Sequence, residues 1–200
     1  MRILRIYPTS INEQYIDDAV ERLRNGQSMI LPTDTLYAIG CDALNSAAIA
    51  DVCRIKGINP QKTPLSVICA SLSQAADYAR IDNRAFRLMK DNLPGPFTFL
   101  LPAATSLPKA FKGRHTVGIR IPANPIALAL AEALGHPILT TSVPSSDDGD
   151  NTPEAIAIRY DSLVSVMIDG GECPEIPSAI VDCTDSSAPQ ILREGPLDLR

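Results

Sequence analysis

The sequence predicts an α/β fold: a single domain over residues 1–200, in which a twisted, mixed sheet is flanked by helices. Three observations support this class. The chain has 200 residues, of which 45% are hydrophobic, so it can bury a core of ordinary globular composition. Apolar strand segments alternate with helical segments at first and cluster towards the end. No internal repeat, low-complexity tract or linker divides the sequence.

Each predicted element has a local signal. A helix is indicated by a capping residue followed by apolar residues at helical spacing, and a strand by a short apolar run bounded by proline, glycine or polar residues. In the first half these signals predict a strand at 3–7, a helix between Asn12 and Gly26, a strand at 28–31, a helix from Ser46 to 56, a strand at 65–69, a helix from Ser71 or Ser73, a helix that stops before Leu93, and a strand at 97–101. In the second half they predict a strand at 116–122, a helix between Asn124 and Gly135, a strand at 137–142, a helix opening at Thr152, and strands at 164–168, 179–182 and 190–193.

Composition and charge exclude several classes of protein. The net charge of −5 argues against broad, non-specific nucleic-acid binding, which needs a surplus of lysine and arginine. The five cysteines are scattered singly without the spacing of a zinc site, and an odd count is typical of free thiols in a reducing cytoplasm. The first residues are too charged for a secretory leader, and no run of about 20 apolar residues could span a membrane. We therefore expect a cytoplasmic protein without a membrane segment.

The stretch at residues 31–40, Leu-Pro-Thr-Asp-Thr-Leu-Tyr-Ala-Ile-Gly, is the most informative in the chain. Two hydroxyls flank a carboxylate directly after a buried strand that is broken by Pro32. Polar side chains at a strand end favour a ligand site at the edge of an open α/β sheet. The same residue types also form turns, because Asp and Thr satisfy local backbone donors. Both interpretations stay open on this segment alone.

Small polar side chains recur where other apolar strands begin or end, at Thr33-Asp34-Thr35, Thr98, Thr140-Thr141-Ser142 and Ser178. Hydroxyl groups donate and accept hydrogen bonds, so they suit a small zwitterion or phosphate oxygens. For each residue alone, hydrogen bonding at a strand end is a sufficient explanation. Their recurrence predicts one shared binding site.

Four cations are candidates for that site. Lys56 and Lys62 belong to a loop stiffened by glycine and proline, where lysine either binds phosphate or is simply solvated. Arg120 lies within an apolar strand, so it either pairs with a carboxylate or points into a polar cavity. Arg193 precedes Glu194, with which it could form a surface pair of little energetic value.

Familiar catalytic and nucleotide-binding motifs are absent from the sequence. His115 and His136 lack the context of catalytic bases, and no nucleophilic triad is readable. There is no Walker A motif, no GxGxxG and no EF-hand loop, so a bound nucleotide would be held without these cradles.

Several segments taken together resemble the YrdC/YciO family, and their spacing is most similar to the YciO branch. The resemblance runs in order over nearly the whole chain. It is carried by residues 32–40, Lys56-Gly57, Pro64-Leu65, residues 94–98, residues 117–122, residues 177–182 and residues 192–195.

The resemblance implies a deep cationic cavity on the α/β sheet and, in the YrdC branch, a nucleotidyltransferase. That activity uses L-threonine, bicarbonate and ATP to make threonylcarbamoyl-adenylate, which feeds modification of adenosine 37 in tRNA; the family is also described as binding double-stranded RNA. By the same resemblance the substrate would be held by Thr33, Thr35, Ser142 and Ser178, and the nucleotide by Lys56, Lys62, Arg120, Thr140 and Arg193. Mg²⁺ would bridge phosphates of ATP, and no protein metal site is expected.

Two departures from the active branch matter. Its Lys-x-Arg after the second helix has Ile58 at the third position here, and its Ser-x-Asn has become Ser142-Val143-Pro144. Each lost charge-assisted contact costs about 1.5–3 kcal/mol. The sequence thus leaves two hypotheses: a threonylcarbamoyl-adenylate synthase of weak or altered activity, or a non-catalytic RNA-binding module that has kept the cavity. Hydrolysis of a nucleotide or another adenylate in the same pocket is a third.

Overall fold

The computed structural model describes residues 1–59, 63, 65–107, 115–145 and 149–200, and in this part of the chain one ten-stranded mixed sheet is flanked by six helices. The strands are β1 (Arg2–Arg5), β2 (Met29–Leu31), β3 (Ala38–Asp42), β4 (Ser66–Ile68), β5 (Phe97–Pro102), β6 (Thr116–Arg120), β7 (Ile138–Ser142), β8 (Val166–Asp169), β9 (Ala179–Asp182) and β10 (Gln190–Arg193). The helices are α1 (Glu13–Arg24), α2 (Ser46–Lys56), α3 (Leu72–Ala76), α4 (Asn83–Asn92), α5 (Pro125–Leu134) and α6 (Pro153–Tyr160). The predicted mixed α/β sheet is confirmed.

Strand order in the sheet is β1-β8-β2-β3-β7-β4-β6-β5-β9-β10. The pairs β1–β8, β2–β8, β4–β6 and β5–β9 are parallel, and the remaining neighbours are antiparallel. Strands that are distant in sequence therefore become neighbours, and residues from both halves of the chain meet along one sheet.

The helix caps explain why the helices begin where they do. Asn12, Asn124 and Thr152 cap α1, α5 and α6 as predicted, since each side chain accepts a hydrogen bond from a backbone N–H of the first turn. Sequence spacing predicts that Ser46 is the cap of the second helix, and this is wrong: Asn45 caps α2, accepting from the N–H groups of Ala47 and Ala48. The structure also contains β3, for which the sequence signals predict no strand.

Two hydrophobic clusters lie on opposite faces of the sheet, because alternate residues of each strand point to opposite sides. In β2, for example, Ile30 belongs to one cluster while Met29 and Leu31 belong to the other. One cluster contains buried residues of α2, α3, α4 and α6, and the other contains those of α1 and α5.

Helices α1 and α5 pack mainly over the half of the sheet that contains β1, β8 and β2. On the same face, the strands from β7 to β9 carry Thr140, Ser66, Arg120, Thr98 and Ile180, whose strand neighbours point to the other cluster. This part of the sheet forms the floor of a cavity.

Among the described residues, no helix combines the length and apolar character needed to cross a membrane.

Candidate functional site

The cavity crosses seven neighbouring strands of the sheet, from β3 to β10, and has a volume of about 160 Å³. One part of its wall is polar and another is apolar. The polar lining comprises Thr35, Ser66, Thr98, Arg120, Thr140, Thr141, Ser142, Ser178 and Arg193. The apolar lining comprises Leu36, Ala38, Ile58, Leu65, Pro177 and Ile180. A ligand of mixed polarity matches this lining better than a purely charged or a purely apolar one.

Thr33 and Thr35 have different roles in the loop between β2 and β3. The Thr33 hydroxyl donates to the carbonyl of Leu36 over 2.6 Å and accepts from the backbone N–H of Thr35 over 3.1 Å. It is 2% exposed and is not part of the cavity lining. Its hydroxyl also lies 3.1 Å from Oγ1 of Thr35, so Thr33 both completes a turn and supports Thr35, which lies on the cavity wall.

Arg120 ends β6 beside this loop. One terminal nitrogen of its guanidinium donates to Oδ1 of Asp34 over 2.9 Å and to Oγ1 of Thr35 over 3.0 Å. The other oxygen of Asp34 accepts from the backbone N–H of Ala123 over 2.9 Å. Burial lowers the pKa of Arg120, an effect that Asp34 opposes and the nearby Arg193 reinforces. Both interpretations made from the sequence apply, because Arg120 pairs with a carboxylate and also lines the cavity.

Arg193 approaches from the edge strand β10. Its Nε donates to the carbonyl of Ser178 over 2.9 Å, and a terminal nitrogen lies 3.3 Å from the Ser178 hydroxyl. That hydroxyl is 2.9 Å from Oγ1 of Thr98. Within the described part of the chain, no carboxylate lies within ion-pair distance of Arg193, so its charge is not compensated there.

Lys56 lies beside the cavity and contacts the end of one of its strands. Its Nζ donates to the carbonyl of Ser142 over 2.6 Å, which ties the end of α2 to the end of β7. Burial lowers the pKa of Lys56. The side chain itself is not part of the cavity lining, whereas Ile58, two residues later, is. Lys62 lies outside the described residues.

A glycine on the cavity floor makes room for two hydroxyl-bearing side chains. A Cβ atom on Gly118 would lie 2.4 Å from Oγ of Ser66 and 3.1 Å from Cγ2 of Thr98. A side chain at this point of β6, between β4 and β5, would require Ser66 and Thr98 to move.

The structure brings together most of the residues predicted from the sequence. Thr35, Arg120, Thr140, Ser142, Ser178 and Arg193 line one cavity, while Thr33 and Lys56 stand behind or beside it. Thr98 and Thr141, which belong to the predicted pattern of strand-end hydroxyls, also line the cavity, whereas Ser66 carries no signal that sequence reasoning used. Sequence reasoning also gave no apolar residue a place in the wall. The binding roles of these residues stay predictions.

The described residues offer no obvious nucleophile or metal site near the cavity. They contain no cluster of three or more histidine, cysteine or acidic side chains that could hold a metal ion. Burial raises the pKa of Cys173 to about 11, so this thiol, near the 33–35 loop, stays protonated at neutral pH.

A family model described as Sua5_yciO_yrdC, Telomere recombination, matches residues 21–195. The chain belongs to this family. The predicted resemblance is confirmed, and the fold agrees with it, because members of known structure share nearly the whole topology.

Three relatives show how far the similarity extends. The chain is 39% identical to Escherichia coli (strain K12) YciO over 199 residues, 98% of this chain and 96% of the relative. The crystal structure of E. coli YciO superimposes with a TM-score of 0.91 at 38% identity, covering 100% of this chain and 98% of the other. The chain is 34% identical to the threonylcarbamoyl-AMP synthase of Bacillus subtilis (strain 168), over 93% of this chain but 55% of the relative.

The third relative, Sua5 from Pyrococcus abyssi, was solved with a ligand. The crystal structure of Pyrococcus abyssi Sua5 complexed with L-threonine matches with a TM-score of 0.86 at 31% identity. The match covers 98% of this chain and 58% of that one, so this chain corresponds to about half of each of these two larger relatives.

Proposed function

We propose that the chain binds a nucleotide and a small amino acid in this cavity, and that it condenses L-threonine, bicarbonate and ATP into threonylcarbamoyl-adenylate. The observation that carries the proposal is the convergence of two guanidinium groups and seven hydroxyl-bearing side chains on one cavity. The names of the relatives support the choice of reaction, since two threonylcarbamoyl-AMP synthases are 34% and 33% identical to this chain over 191 and 193 aligned residues.

The reaction requires no protein nucleophile. The amine of threonine attacks the carbon of bicarbonate, water leaves, and a carbamate forms. A carbamate oxygen then attacks the α-phosphorus of ATP, the bond from that phosphorus to the β-phosphate oxygen breaks, and pyrophosphate leaves with the electron pair. Such phosphoryl-type transfer depends mainly on alignment of the reactants and on stabilisation of the developing charge.

The residues of the cavity could supply both requirements. Hydroxyl groups such as those of Ser142 and Thr140 can bind the polar groups of the amino acid and the ribose, and a guanidinium group of the lining can bring positive charge to the phosphates. Mg²⁺, held by the phosphates of ATP, would neutralise charge on the leaving pyrophosphate. The oxygen-rich, acid-poor lining fits an ion that arrives with the nucleotide rather than one bound by the protein.

We expect a low rate. Ile58 lines the cavity at the position where the active branch has arginine, and Pro144 replaces an asparagine just beyond β7. Each missing polar contact costs about 1.5–3 kcal/mol, which corresponds to roughly ten- to hundredfold in rate when the contact is made in the transition state.

The decisive experiment incubates the chain with labelled L-threonine, bicarbonate and ATP, and follows both threonylcarbamoyl-adenylate and pyrophosphate. We expect equimolar, bicarbonate-dependent formation of the two products, reduced by Arg193→Gln. The exposed pair Asp51–Arg54 on α2 supplies the control: the double variant D51N/R54Q should match the unchanged chain. No adenylate and no pyrophosphate after prolonged incubation would refute the enzymatic function.

If the adenylate forms, the reaction that consumes it is threonylcarbamoylation of tRNA, and a tRNA-modifying complex is the proposed destination. Direct binding of tRNA or double-stranded RNA stays a prediction. The net charge of −5 limits it to a local cationic surface. Ligand binding without turnover in the experiment above would favour the non-catalytic alternative. The cytoplasmic location likewise stays a prediction.

A further inference from the structure

The cavity contains two arginines whose electrostatic situations differ. Arg120 is paired with Asp34 at 2.9 Å, and both side chains are about 90% buried, at 11% and 9% exposure. In the described part of the chain, Arg193 donates to two neutral oxygens, both of Ser178. The charge of Arg120 is therefore balanced inside the protein, whereas that of Arg193 is available to a ligand.

Both carboxylate oxygens of Asp34 are used, and they bind different elements. Oδ1 accepts from Arg120 at the end of β6, and Oδ2 accepts from the N–H of Ala123, which lies directly before the cap of α5. The 32–37 loop is thus fixed to the β6–α5 connection through one side chain. The same guanidinium nitrogen of Arg120 also donates to Thr35, so the pair, together with the Thr33 hydroxyl at 3.1 Å, fixes the orientation of that cavity-lining hydroxyl.

A second feature favours a structural use of Arg120. Its Nε is fully buried and has no hydrogen-bond partner in the described part of the chain, so a ligand in the cavity cannot reach that atom without a rearrangement. A planar guanidinium binds a phosphate best through two parallel N–H donors. Because one terminal nitrogen serves Asp34 and Thr35 and Nε is enclosed, Arg120 lacks a free pair of donors.

We propose that Asp34 is a positioning residue: it neutralises Arg120 and holds its guanidinium against Thr35, and it thereby leaves Arg193 as the phosphate-binding cation of the cavity. The inference rests on the proposed function, because it specifies which cation that function uses. It also reassigns Arg120 from the nucleotide-binding set predicted from the sequence to a role in shaping the site. Lys56 stands outside the cavity lining and is engaged with the carbonyl of Ser142.

The inference predicts opposite effects for two substitutions. Arg193→Gln removes the uncompensated charge, and the affinity for ATP and for inorganic pyrophosphate should fall about ten- to hundredfold. Asp34→Asn frees the charge of Arg120 beside Arg193, so the affinity for both anions should stay the same or rise, with a stronger dependence on salt. Adenylate formation by Asp34→Asn should nevertheless slow at least about tenfold, because Arg120 and Thr35 lose their fixed orientation.

Stability separates positioning from simple loss of fold. Asp34→Asn should lower the Tm by about 5–15 °C, since it leaves a buried charge without its partner. The neutral double variant D34N/R120Q should recover part of this loss and should bind pyrophosphate within about threefold of the unchanged chain. The surface double variant D51N/R54Q provides the matched control for removal of an ion pair.

The test is titration calorimetry with ATP and with inorganic pyrophosphate at two salt concentrations, combined with thermal unfolding of every variant. Loss of pyrophosphate binding by a folded D34N/R120Q variant equal to that of Arg193→Gln would overturn the inference, as would an unchanged chain that binds neither probe. Binding that depends on Arg193 without any adenylate formation would preserve the inference and refute the proposed reaction. Adenylate formation combined with equal losses of pyrophosphate affinity in D34N/R120Q and in Arg193→Gln would support the proposed reaction and refute the inference.

Discussion

At the scale of single residues, Ile58 marks the main difference between this cavity and the one implied by the active branch of the family. The side chain lines the cavity and lies two residues beyond Lys56, at the end of α2. An apolar group there contributes a contact surface but no charge. The position therefore bears directly on the rate of adenylate formation and only weakly on the stability of the fold.

The substitution Ile58→Arg should increase the rate of adenylate formation about ten- to hundredfold, because it adds a charge-assisted contact of about 1.5–3 kcal/mol. Ile58→Lys should give a smaller gain, since an ammonium group lacks the planar fork of arginine. Pyrophosphate release at saturating ATP measures the effect, and Ile58→Gln, which adds length without charge, is the control. A folded Ile58→Arg variant with no gain would contradict the expectation.

Residue-level patterns allowed much of the site to be predicted. Strand-end hydroxyls and an arginine within an apolar strand identified Thr35, Arg120, Thr140, Ser142 and Ser178 as candidates, and all of them line the cavity. The same pattern included Thr33, whose hydroxyl instead completes a turn. A hydroxyl that is hydrogen-bonded to the backbone and one that faces a cavity cannot be told apart in the sequence, so only the three-dimensional arrangement distinguishes them.

At the scale of elements, β6 is the strand on which the floor of the cavity depends. It lies between β4 and β5 and presents Gly118 and Arg120 on the cavity side. The two hydroxyl-bearing neighbours, Ser66 and Thr98, approach each other across the glycine. Space at this point is therefore a property of three adjacent strands.

The substitution Gly118→Ala should weaken ligand binding and lower the stability by about 1–3 kcal/mol, because the new Cβ would lie 2.4 Å from Oγ of Ser66. The double variant G118A/S66A removes that oxygen and should recover a large part of the lost stability. Urea unfolding and pyrophosphate titration measure the two effects. Equal stability of Gly118→Ala and the unchanged chain would show that the strands can shift to accept a methyl group.

Elements with clear caps and turns could be predicted, whereas β3 could not. Its residues, Ala38–Asp42, are buried on both faces, so they show no alternation, and Gly40 within them suggests a loop. The glycine is required because its Cβ would lie 2.8 Å from a methyl carbon of Leu31. Tight packing between β2 and β3 thus favours a glycine at position 40, and this glycine makes the strand resemble a loop in the sequence.

At the scale of the whole molecule, buried thiols make the stability sensitive to alkaline pH. Burial raises the pKa of Cys69 to about 12 and the pKa values of Cys173 and Cys183 to about 11. It raises the pKa of Cys41 and Tyr37 as well. The corresponding groups of an unfolded chain titrate at about 8.5 for cysteine and about 10 for tyrosine.

The folded chain therefore binds more protons than the unfolded chain above about pH 8.5, and its stability should fall as the pH rises from there to about 11. The lowered pKa values of Lys56, Arg120 and Arg193 act in the opposite direction, but they are three groups against the four thiols and the tyrosine with raised values. Urea unfolding at a series of pH values measures the trend, and the variant C173S/C183S should show a shallower decline. A free energy of unfolding that stays constant or rises over this pH interval would contradict the attribution of alkaline sensitivity to the buried thiols.

The order of strands in the sheet was beyond sequence reasoning, because it depends on pairing between remote segments. Strand β8, near residue 166, lies between β1 and β2 from the start of the chain. Local propensity specifies where a strand is, but the partner is chosen by the packing of both faces of the complete sheet. The resemblance to the family, confirmed by the match to residues 21–195, predicted a twisted sheet but not the order of its strands.

The cavity lining runs from Thr35 to Arg193, so its walls come from segments that are far apart in sequence. A ribosome must therefore release the chain through Arg193 before a guest can contact every wall of the cavity and lend the fold stability. Contacts so remote in sequence also slow the search for the native state. Nucleotide capture by a nascent chain would consequently report the completion of folding rather than assist its early steps.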